Sequence, residues 1–292
     1  MGQISVTHLP RTFSIETILG CNLRCVECAV GNDMINRKHG RITFDRFKII
    51  ADKVRPFCEY FYLHLWGEPM LNNDIIPIIR YVSRFSRSNI STNAVTLNEG
   101  SAEALIRSGV TDLIVSIDGV SQEAYAKYRV GGKAEKAING LRMLNEMNER
   151  FQARVNILPQ FIVFKHNQHE IEAFQEICDS LGLQPSFKAP YLRAGSKLEN
   201  SDVPGLSRHI AIDPGERRKN MRECPNGFNV FTILLDGSVV ACCYDHNRKT
   251  NFGNIFDSEV LEIWDSPKYV HFRENLRNGK ASKFCMEECL LY

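Results

Sequence analysis

Three closely spaced cysteines constrain this chain more than any other feature. Cys21, Cys25 and Cys28 form a C-x3-C-x2-C triplet at the end of the apolar stretch 13–19. A cubane iron–sulfur cluster held by only three thiolates keeps one iron open, and that iron can bind a small molecule and pass it an electron. A zinc site is the alternative, but structural zinc usually takes four ligands and no fourth ligand lies nearby. The triplet therefore predicts a reactive cluster.

The composition is that of an ordinary globular enzyme. The chain has 292 residues, 43% of them hydrophobic, and a formal net charge of +2, which indicates no bulk preference for nucleic acid or an anionic membrane. Its apolar stretches are too short to span a bilayer, and residues 1–11 lack the apolar segment of a secretory signal. We therefore expect a cytoplasmic protein without a nucleic-acid or membrane partner. Its ten cysteines are interpreted as metal ligands and buried thiols.

Strand and helix patterns alternate as far as residue 188. Apolar residues recur at helical spacing between the strands, as at Phe44, Phe47, Ile50 and Val54. Such alternation is typical of parallel βαβ units. We expect an α/β fold, a partial (β/α)6 TIM-like barrel, with its chemistry at the carboxyl ends of the strands. The six predicted strands cover residues 13–19, 60–66, 88–92, 113–117, 156–164 and 185–188.

The triplet and its spacing resemble the signature of the radical S-adenosylmethionine (SAM) enzymes. The resemblance implies a four-iron four-sulfur cluster that chelates SAM and cleaves it reductively, releasing a 5′-deoxyadenosyl radical that removes a hydrogen atom from substrate. It also implies the partial barrel. One departure is Glu27, which precedes the third cysteine where the family usually has an aromatic residue. We therefore expect SAM to pack differently beside this loop.

Further segments of this family follow the predicted strands. The run 66–69, Trp-Gly-Glu-Pro, resembles the Gly-Glu-Pro motif that binds the SAM ammonium group, and it stands about 40 residues after the triplet. The segments 91–93 and 116–119 resemble those that hydrogen-bond the SAM ribose and carboxylate. The polar residues of these segments are equally interpretable as turn residues, helix caps or solvated side chains. The SAM-binding residues implied are Gly67, Glu68, Asn93, Ser116 and Asp118, with Arg129 and His166 as further candidates.

Half of the cysteines lie in the last quarter of the chain, after a stretch from about residue 192 to 222 that lacks a periodic pattern. Two apolar runs, 228–235 and 238–242, flank Asp236-Gly237, which predicts a β-hairpin with a type I′ turn. One helix is predicted over residues 259–278. Cysteines distant in sequence can therefore converge on one auxiliary site. They are Cys224, Cys242, Cys243, Cys285 and Cys289.

This region resembles the twitch domain, the one-cluster short form of the SPASM extension of radical SAM enzymes. The resemblance implies a second four-iron four-sulfur cluster on Cys224, Cys242, Cys285 and Cys289, although the last pair has C-x3-C spacing where C-x2-C is common. Zinc is the alternative occupant, because four cysteines can make a closed structural site. We expect a radical SAM barrel at residues 1–195 and a twitch/SPASM-like domain with a hairpin and a helix at 220–292.

Cys243 differs from the remaining cysteines. Cys58 and Cys178 lie in apolar patterns and are interpreted as small buried hydrophobes. Cys243 adjoins a proposed ligand, and neighbouring side chains of an extended strand point to opposite faces. If Cys242 faces a cluster, Cys243 faces elsewhere, for example a substrate cavity, where its thiol could return a hydrogen atom to a substrate radical. The alternative is a packed cysteine beside the hairpin.

The family resemblance suggests two functions. The first is hydrogen abstraction from a polar small molecule, since the chain resembles aminocyclitol dehydrogenases and aminoglycoside epimerases, and Cys243 would be the catalytic hydrogen donor of an epimerase. The second is modification of a ribosomal precursor peptide, although about a dozen residues before the first strand leave no room there for a leader-binding domain. A non-catalytic metal-bound module is disfavoured, because the triplet and the Gly-Glu-Pro segment are intact. An electron donor such as flavodoxin or ferredoxin is also implied.

The sequence leaves the substrate open. Glu16, Asp118 and Asp245 could face a cationic amino sugar, yet each is equally interpretable as a cap or a solvated charge. It also leaves open the choice between epimerisation and dehydrogenation, and the oligomeric state.

Overall fold

Alternating buried residues build a nine-stranded sheet in the computed structural model, which describes residues 9–193, 195–206 and 221–289. Its order is β11-β10-β9-β1-β4-β5-β6-β7-β8, and β2 and β3 form a separate antiparallel pair. The six predicted barrel strands are parallel and adjacent in the predicted order, which confirms the α/β barrel-like fold. The strands are β1 (Thr12–Ile15), β2 (Ile18–Leu19), β3 (Gly40–Arg41), β4 (Tyr60–Tyr62), β5 (Arg87–Thr92), β6 (Asp112–Ser116), β7 (Asn156–Ile162), β8 (Ser186–Lys188), β9 (Val230–Ile233), β10 (Ser238–Val240) and β11 (Gly253–Asn254).

Helices follow the strands and cover one face of the sheet. The first begins where the apolar period begins, and its N-cap Thr43 accepts a hydrogen bond from the Arg46 backbone. No helix in the described ranges is long and apolar enough to cross a membrane. The helices are α1 (Phe44–Val54), α2 (Ile75–Val82), α3 (Glu99–Ile106), α4 (Gln122–Tyr128), α5 (Ala134–Arg150), α6 (Ile171–Ser180), α7 (Pro225–Asn229), α8 (Val260–Trp264), α9 (Pro267–Arg277) and α10 (Lys283–Glu288).

A row of phenylalanines anchors the helix-covered face. Phe13 is in register with Phe61 on β4 and with Phe231 on β9, and all three are fully buried. Their ring centroids lie 6.4 and 5.5 Å from that of Phe13. Because side chains alternate along a strand, the next residues, Ser14 and Tyr62 among them, face the other side of the sheet. That opposite face is the interior of the partial barrel.

The predicted first strand is two strands in the structure. β1 ends at Ile15, and Ile18–Leu19 turns away to pair with Gly40–Arg41. The Thr17 carbonyl explains the break, because it accepts hydrogen bonds from the Ile42 backbone (3.1 Å) and the Asn72 amide (2.8 Å) rather than from a neighbouring barrel strand. The triplet therefore lies in the loop between β2 and β3, and it does not directly follow the barrel strand β1.

The turn of the C-terminal hairpin differs from the predicted type I′ turn. A type I′ turn needs positive φ at both central residues, whereas at Asp236-Gly237 only Gly237 has it, at +89°. The Gly237 backbone donates to the Leu234 carbonyl, and the Leu234 backbone donates to the Ser238 carbonyl, each at 2.9 Å. This is the three-residue loop in which a glycine follows a turn. β10 ends at Val240, so Cys242 lies beyond the strand that the sequence predicted to carry it.

The predicted helix 259–278 is broken into α8 and α9. Proline has no backbone N–H and is tolerated in the first turn of a helix but not in its interior. Pro267 therefore starts a new helix, and Ser266 caps it by accepting a hydrogen bond from the Tyr269 backbone (3.3 Å).

The C-terminal hairpin continues the barrel sheet. β9 pairs in parallel with β1 over four residue pairs, from Thr12 opposite Val230 to Ile15 opposite Ile233. The hairpin, which lies between Cys224 and Cys242 in the sequence, is thus joined to the first barrel strand.

Candidate functional site

The cysteine triplet lies in a loop that is fastened to the segment after α4. The backbone N–H groups of Arg24 and Val26 donate to the carbonyls of Val130 (2.9 Å) and Tyr128 (3.1 Å). Within the loop, the Leu23 backbone donates to the Cys21 sulfur at 3.3 Å. These bonds hold residues 21–28 against the carboxyl end of α4 and the residues after it.

Two donors from other loops approach the triplet thiols. Asn93 Nδ2 lies 3.8 Å from Cys21 Sγ, and Arg129 Nη1 lies 3.8 Å from Cys25 Sγ. Burial raises the pKa of Cys21 to about 12 and also raises the pKa of Cys25, so the free thiols keep their protons at neutral pH. Metal ligation requires thiolates, and an amide and a guanidinium beside the sulfurs stabilise that form. The donor set therefore fits a cluster.

Gly67 lets the Gly-Glu-Pro segment touch the backbone that leads into the triplet. Its φ is +103°, and a Cβ at this position would lie 2.6 Å from the Gly20 carbonyl oxygen. The next residue uses this closeness, because the Glu68 backbone donates to that same carbonyl at 2.9 Å. Only glycine meets both the conformational and the steric requirement.

The Glu68 carboxylate points into the protein. It accepts hydrogen bonds from the Thr92 hydroxyl (2.7 Å) and from the backbones of Asn93 (2.8 Å) and Met70 (3.1 Å), and it is 2% exposed. Burial raises its pKa, while these bonds act in the opposite direction. Glu68 therefore positions Asn93, whose amide reaches both the Cys21 sulfur and the Asn22 side chain (2.9 Å).

A buried ion pair orders the other side of the triplet. Arg129 Nε donates to Asp118 Oδ2 at 2.6 Å, and Asp118 Oδ1 accepts from the Ile162 backbone at 2.6 Å. Asp118 is fully buried. The pair thus joins the ends of β6 and β7 to Arg129 and directs its guanidinium toward Cys25.

Two other predicted SAM-binding residues are Ser116 and His166. Ser116 is the buried last residue of β6. The His166 ring stacks on Phe164 with centroids 5.2 Å apart, and its buried Nε2 has no hydrogen-bond partner. Burial lowers the pKa of His166. The contacts given above link a different set of residues to the triplet loop: Gly67, Glu68, Asn93, Asp118 and Arg129.

Glu27, the departure from the family pattern, is tied to the segment after β8. Its carboxylate accepts hydrogen bonds from the Ser196 hydroxyl (2.5 Å) and the Arg193 backbone (3.2 Å), and Arg193 Nη1 donates to the Glu27 carbonyl at 2.5 Å. At the position where the family usually has an aromatic ring, this chain therefore has a carboxylate that hydrogen-bonds the segment after β8 to the triplet loop.

Four C-terminal cysteines converge on one small apolar cavity of about 20 Å³. They are Cys224, Cys242, Cys285 and Cys289. Burial raises the pKa of Cys224, whereas backbone groups of Gly227 and Asn226 lower it by hydrogen bonding to the sulfur. Among the described residues, no three His, Cys, Asp or Glu side chains lie close enough to bind a single metal ion. Four thiols around one cavity are the donor type that an iron–sulfur cluster takes.

Cys243 lines a different cavity from Cys242. The two residues lie in the bend after β10, and Cys243 borders a cavity of about 570 Å³ on the barrel-interior side. The Cys243 carbonyl accepts a hydrogen bond from the Trp66 indole at 3.0 Å. A bend, not strand alternation, therefore places the two residues at different cavities. The Trp66 contact brings the Gly-Glu-Pro segment against the segment of the auxiliary cysteines.

The three acidic residues considered as partners of a cationic sugar all have partners within the protein. Glu16 is fully buried in a bidentate pair with Arg37, both N–O distances being 2.7 Å. Asp245 accepts from Lys249 and Thr250 and so caps a turn. With Asp118 paired to Arg129, none of the three is left for a cationic ligand.

No motif in the sequence marks Tyr62, His64 or Thr232, yet all three line the 570 Å³ cavity. Burial lowers the pKa of His64 to about 4, so its imidazole is neutral at neutral pH. Only their strand positions could have indicated this location. Tyr62 and Thr232 lie on the same face of the sheet as Ser14, because both are paired with it in register.

Two family models match the chain. The radical SAM superfamily model matches residues 15–174, more than half of the 292 residues, and SPASM, an iron–sulfur cluster-binding domain, matches residues 224–290.

Curated relatives cover a range of activities. A probable GTP 3′,8-cyclase of Methanocaldococcus jannaschii is 29% identical over 72% of this chain and 72% of its own length. An S-adenosyl-L-methionine-dependent 2-deoxy-scyllo-inosamine dehydrogenase of Niallia circulans is 24% identical over 92% of this chain and 88% of its own. The chain spans about half the length of another relative, an AdoMet-dependent heme synthase of Nitratidesulfovibrio vulgaris (51%, at 24% identity over 62% of this chain).

Solved structures share the fold. BtrN in complex with AdoMet and 2-DOIA has a TM-score of 0.62 at 18% identity, covering 96% of this chain and 92% of its own. SuiB of Streptococcus suis bound to S-adenosylmethionine has a TM-score of 0.68 at 16% identity, covering 91% of this chain and 68% of its own.

These matches agree with the geometry of the two cysteine sites. The radical SAM domain binds a 4Fe–4S cluster and SAM, and the SPASM domain binds iron–sulfur clusters. The chain therefore belongs to the radical SAM superfamily and carries a C-terminal SPASM region.

Proposed function

We propose that this enzyme abstracts a hydrogen atom from a carbon of a polar small molecule, such as a sugar, aminocyclitol or aminoglycoside, and completes either an epimerisation or a two-electron dehydrogenation. The observation that carries the proposal is the position of Cys243. Cys243 borders the large barrel cavity, while its neighbour Cys242 borders the cavity of the four auxiliary cysteines. A hydrogen donor and an electron acceptor would thus both adjoin the substrate.

The ligand sets are part of this proposal. Cys21, Cys25 and Cys28 hold the SAM-cleaving cluster, and Cys224, Cys242, Cys285 and Cys289 hold the auxiliary one. When bound, the first cluster and SAM supply a 5′-deoxyadenosyl radical for hydrogen abstraction. The proposed domains are residues 1–195 and 220–292, and the proposed electron donor is a flavodoxin or a ferredoxin.

The surrounding residues position the reactants. Asn93 and Arg129 lie beside the triplet sulfurs and offer side-chain donors for the polar groups of SAM. Gly67 and Glu68 hold Asn93 in place, and Asp118 holds Arg129. Ser116 and His166 are assigned to the outer part of the same site.

The two outcomes differ in what happens to the substrate radical. In an epimerase, Cys243 donates a hydrogen atom to the radical from the face opposite to abstraction, and the thiyl radical that remains needs one electron and one proton to become a thiol again. In a dehydrogenase, the radical loses one electron and one proton, and Cys243 is a packing residue.

Anaerobic reconstitution tests the proposal. Iron, sulfide and zinc are counted, and 5′-deoxyadenosine is followed in deuterated water with a panel of saccharides, cyclitols and peptides. Roughly eight irons per chain are expected for two cubane clusters, whereas about four irons with zinc would remove the auxiliary cluster. Stimulation by peptides alone would move the assignment to a peptide maturase, the kind of activity named for the relative mycofactocin maturase.

A matched pair of variants tests Cys243. Cys243→Ala should retain iron and form 5′-deoxyadenosine with substrate but lose the inverted, deuterated product. Cys178→Ala, at a fully buried thiol on α6, serves as the control and should keep that product. An oxidised product without solvent deuterium, unchanged in Cys243→Ala, would identify a dehydrogenase.

A further inference from the structure

The interior cavity of the barrel has a polar, uncharged lining. It has a volume of about 570 Å³, within the range of small-molecule sites. Among the described residues that line it, none is Asp, Glu, Lys or Arg, and several offer hydroxyl, amide or imidazole groups. These polar residues are Thr12, Ser14, Tyr62, His64, Asn226, Asn229 and Thr232.

The strand register places the central lining residues in one row. Ser14 on β1 is paired with Thr232 on β9 and with Tyr62 on β4. Side chains of paired residues in a parallel sheet point to the same face. The three residues therefore form a continuous polar band across three strands, opposite the phenylalanine row.

Tyr62 adds an aromatic surface to this band. It is 37% exposed, although its paired neighbour Ser14 is only 6% exposed. Its ring meets that of His64 edge-on, with centroids 5.8 Å apart. An exposed tyrosine presents a large rigid surface with a polar end, which suits a ring that has C–H groups on its faces and hydroxyls on its rim.

The floor of the cavity has unpaired polar atoms. The Thr232 hydroxyl and His64 Nδ1 are buried and have no hydrogen-bond partner. Buried polar groups are normally hydrogen-bonded. His64 Nδ1 and the Thr232 hydroxyl therefore offer two further hydrogen-bonding positions beneath the polar band.

Among the described residues that line the cavity, none would serve as the counter-ion of a cationic group. Glu16, at the end of β1, is occupied by Arg37. Asp112, on the far side of the row, accepts from Tyr60 (2.7 Å) and Asn156 (2.9 Å). An ammonium group buried without a carboxylate is costly, so the lining disfavours an amine.

We propose that this cavity binds an uncharged, hydroxyl-bearing ring, a neutral cyclitol or sugar, with Tyr62 against one face of the ring and Ser14, His64 and Thr232 toward its hydroxyls. The inference rests on the proposed function, because Cys243 borders the same cavity and would meet a carbinol carbon of that ring. It narrows the substrate class to neutral rings.

Binding to the reconstituted enzyme with SAM, without reductant, provides the test. Matched ligands differ by one group: scyllo-inositol against scyllo-inosamine, and glucose against glucosamine. Calorimetry should show at least tenfold tighter binding of the neutral member. Equal or tighter binding of the amines overturns the proposal. Failure of both neutral rings to bind at about 10 mM also overturns it, because that concentration is roughly tenfold above the 1 mM dissociation constant of a weak ligand.

Variants connect the binding to the polar band. Ser14→Ala should weaken binding of the neutral ring about three- to tenfold, the effect of one lost hydrogen bond. Ser88→Ala is the matched control, because Ser88 is fully buried and its hydroxyl is unpaired, but it lies in register with Phe61 on the helix-covered face. Tyr62→Ala, at an exposed position, should weaken binding at least as much as Ser14→Ala. Equal effects of Ser14→Ala and Ser88→Ala contradict the proposal.

Separate measurements of binding and of catalysis distinguish failure of the cavity assignment from failure of the proposed function. Reductant is added in a second step, and 5′-deoxyadenosine is measured. If a neutral ring binds as expected but SAM is not cleaved, the proposed function fails and the cavity assignment stands. If SAM is cleaved and only the amines accelerate it, the cavity assignment fails and the proposed function stands.

Discussion

The indole nitrogen of Trp66 donates a hydrogen bond to the backbone carbonyl of Cys243, with 3.0 Å between the two atoms. Trp66 opens the Gly-Glu-Pro segment, and Cys243 follows the C-terminal hairpin, 177 residues later. The same indole meets the His246 ring edge-on, at a centroid distance of 5.6 Å. The segment assigned to SAM and the segment of the auxiliary cysteines therefore form one packed unit.

Trp66→Phe should loosen this unit while keeping an aromatic ring. The variant leaves the Cys243 carbonyl without its donor, and we expect the free energy of unfolding to fall by about 1 kcal/mol. We also expect the yield of product per 5′-deoxyadenosine to fall, because Cys243 is less well held. Urea unfolding and product analysis measure the two effects.

Ser108→Ala is the control for Trp66→Phe. It removes a buried hydrogen bond to Leu105 near the end of α3. It should lower stability by a similar amount without changing the product yield. An equal loss of yield in both variants would show that the effect comes from general destabilisation.

Gly67→Ala should impair SAM binding. The new methyl group would lie 2.6 Å from the Gly20 carbonyl, at a φ of +103°. Such strain costs about 1 to 3 kcal/mol, and the clash must also move the backbone next to Cys21. Equilibrium dialysis of SAM on the reconstituted enzyme measures binding, and urea unfolding measures the strain.

Gly182→Ala separates the two causes. Its φ is also positive, +66°, but a Cβ there meets nothing within 4 Å. It should lose about 1 kcal/mol of stability and bind SAM normally. Equal costs for the two substitutions would mean that the close approach to Gly20 is unimportant.

The fold follows from patterns that act locally. Period-two and period-3.6 alternation is set by neighbouring residues, which is why the parallel strands and α1 were predictable. The local pattern does not predict a boundary that depends on a residue distant in sequence. β1 ends at Ile15, for example, because the Thr17 carbonyl accepts hydrogen bonds from Ile42 and Asn72. The break at Pro267 was readable from sequence, since Ser-Pro is a helix-start signal.

The candidate ligands of the site stand out in the sequence, whereas its surroundings do not. Cysteine spacing predicts two sets of thiol ligands, and the four cysteines of the second set line one cavity in the structure. The role of Glu68 depends on Thr92 and Asn93, and that of Glu16 depends on Arg37 and Leu235. These hydrogen bonds and ion pairs form only in the folded chain. Acidic residues that the sequence offers as ligand-binding candidates therefore turn out to bind other residues of the protein.

Stability should decline in acid because of His64. Its pKa in the folded protein is about 4, against 6.5 when solvated, since burial disfavours the charged form and Lys188 adds to the effect. Between these values the unfolded chain binds more protons, so the free energy of unfolding falls as pH drops from 6.5 toward 4. Between pH 7.5 and 5 we expect His64 to account for a loss of about 1 to 2 kcal/mol.

Urea unfolding across this pH range measures the His64 contribution. His64→Gln should flatten the decline, whereas His169→Gln, whose side chain is 70% exposed, should leave it in place. A decline that His64→Gln does not alter would assign the pH dependence to other groups.

Glu16→Gln should be the most destabilising of these substitutions. The Glu16–Arg37 pair is buried, with side chains 0% and 4% exposed, and it ties β1 and the loop after the triplet to the hairpin through Leu235 (2.8 Å) and the His246 carbonyl (2.5 Å). Removing one charge leaves the other buried and uncompensated, which costs about 3 to 5 kcal/mol.

The exposed pair of Arg11 and Glu59 provides the comparison for Glu16→Gln. Its side chains are 61% and 68% exposed, and Glu59→Gln should cost less than about 1 kcal/mol. Glu16→Leu combined with Arg37→Met should be less destabilising than Glu16→Leu alone, because no charge is then left buried. Urea unfolding of all four variants tests the ranking. If Glu16→Gln costs no more than Glu59→Gln, the buried pair does not join the two halves of the site.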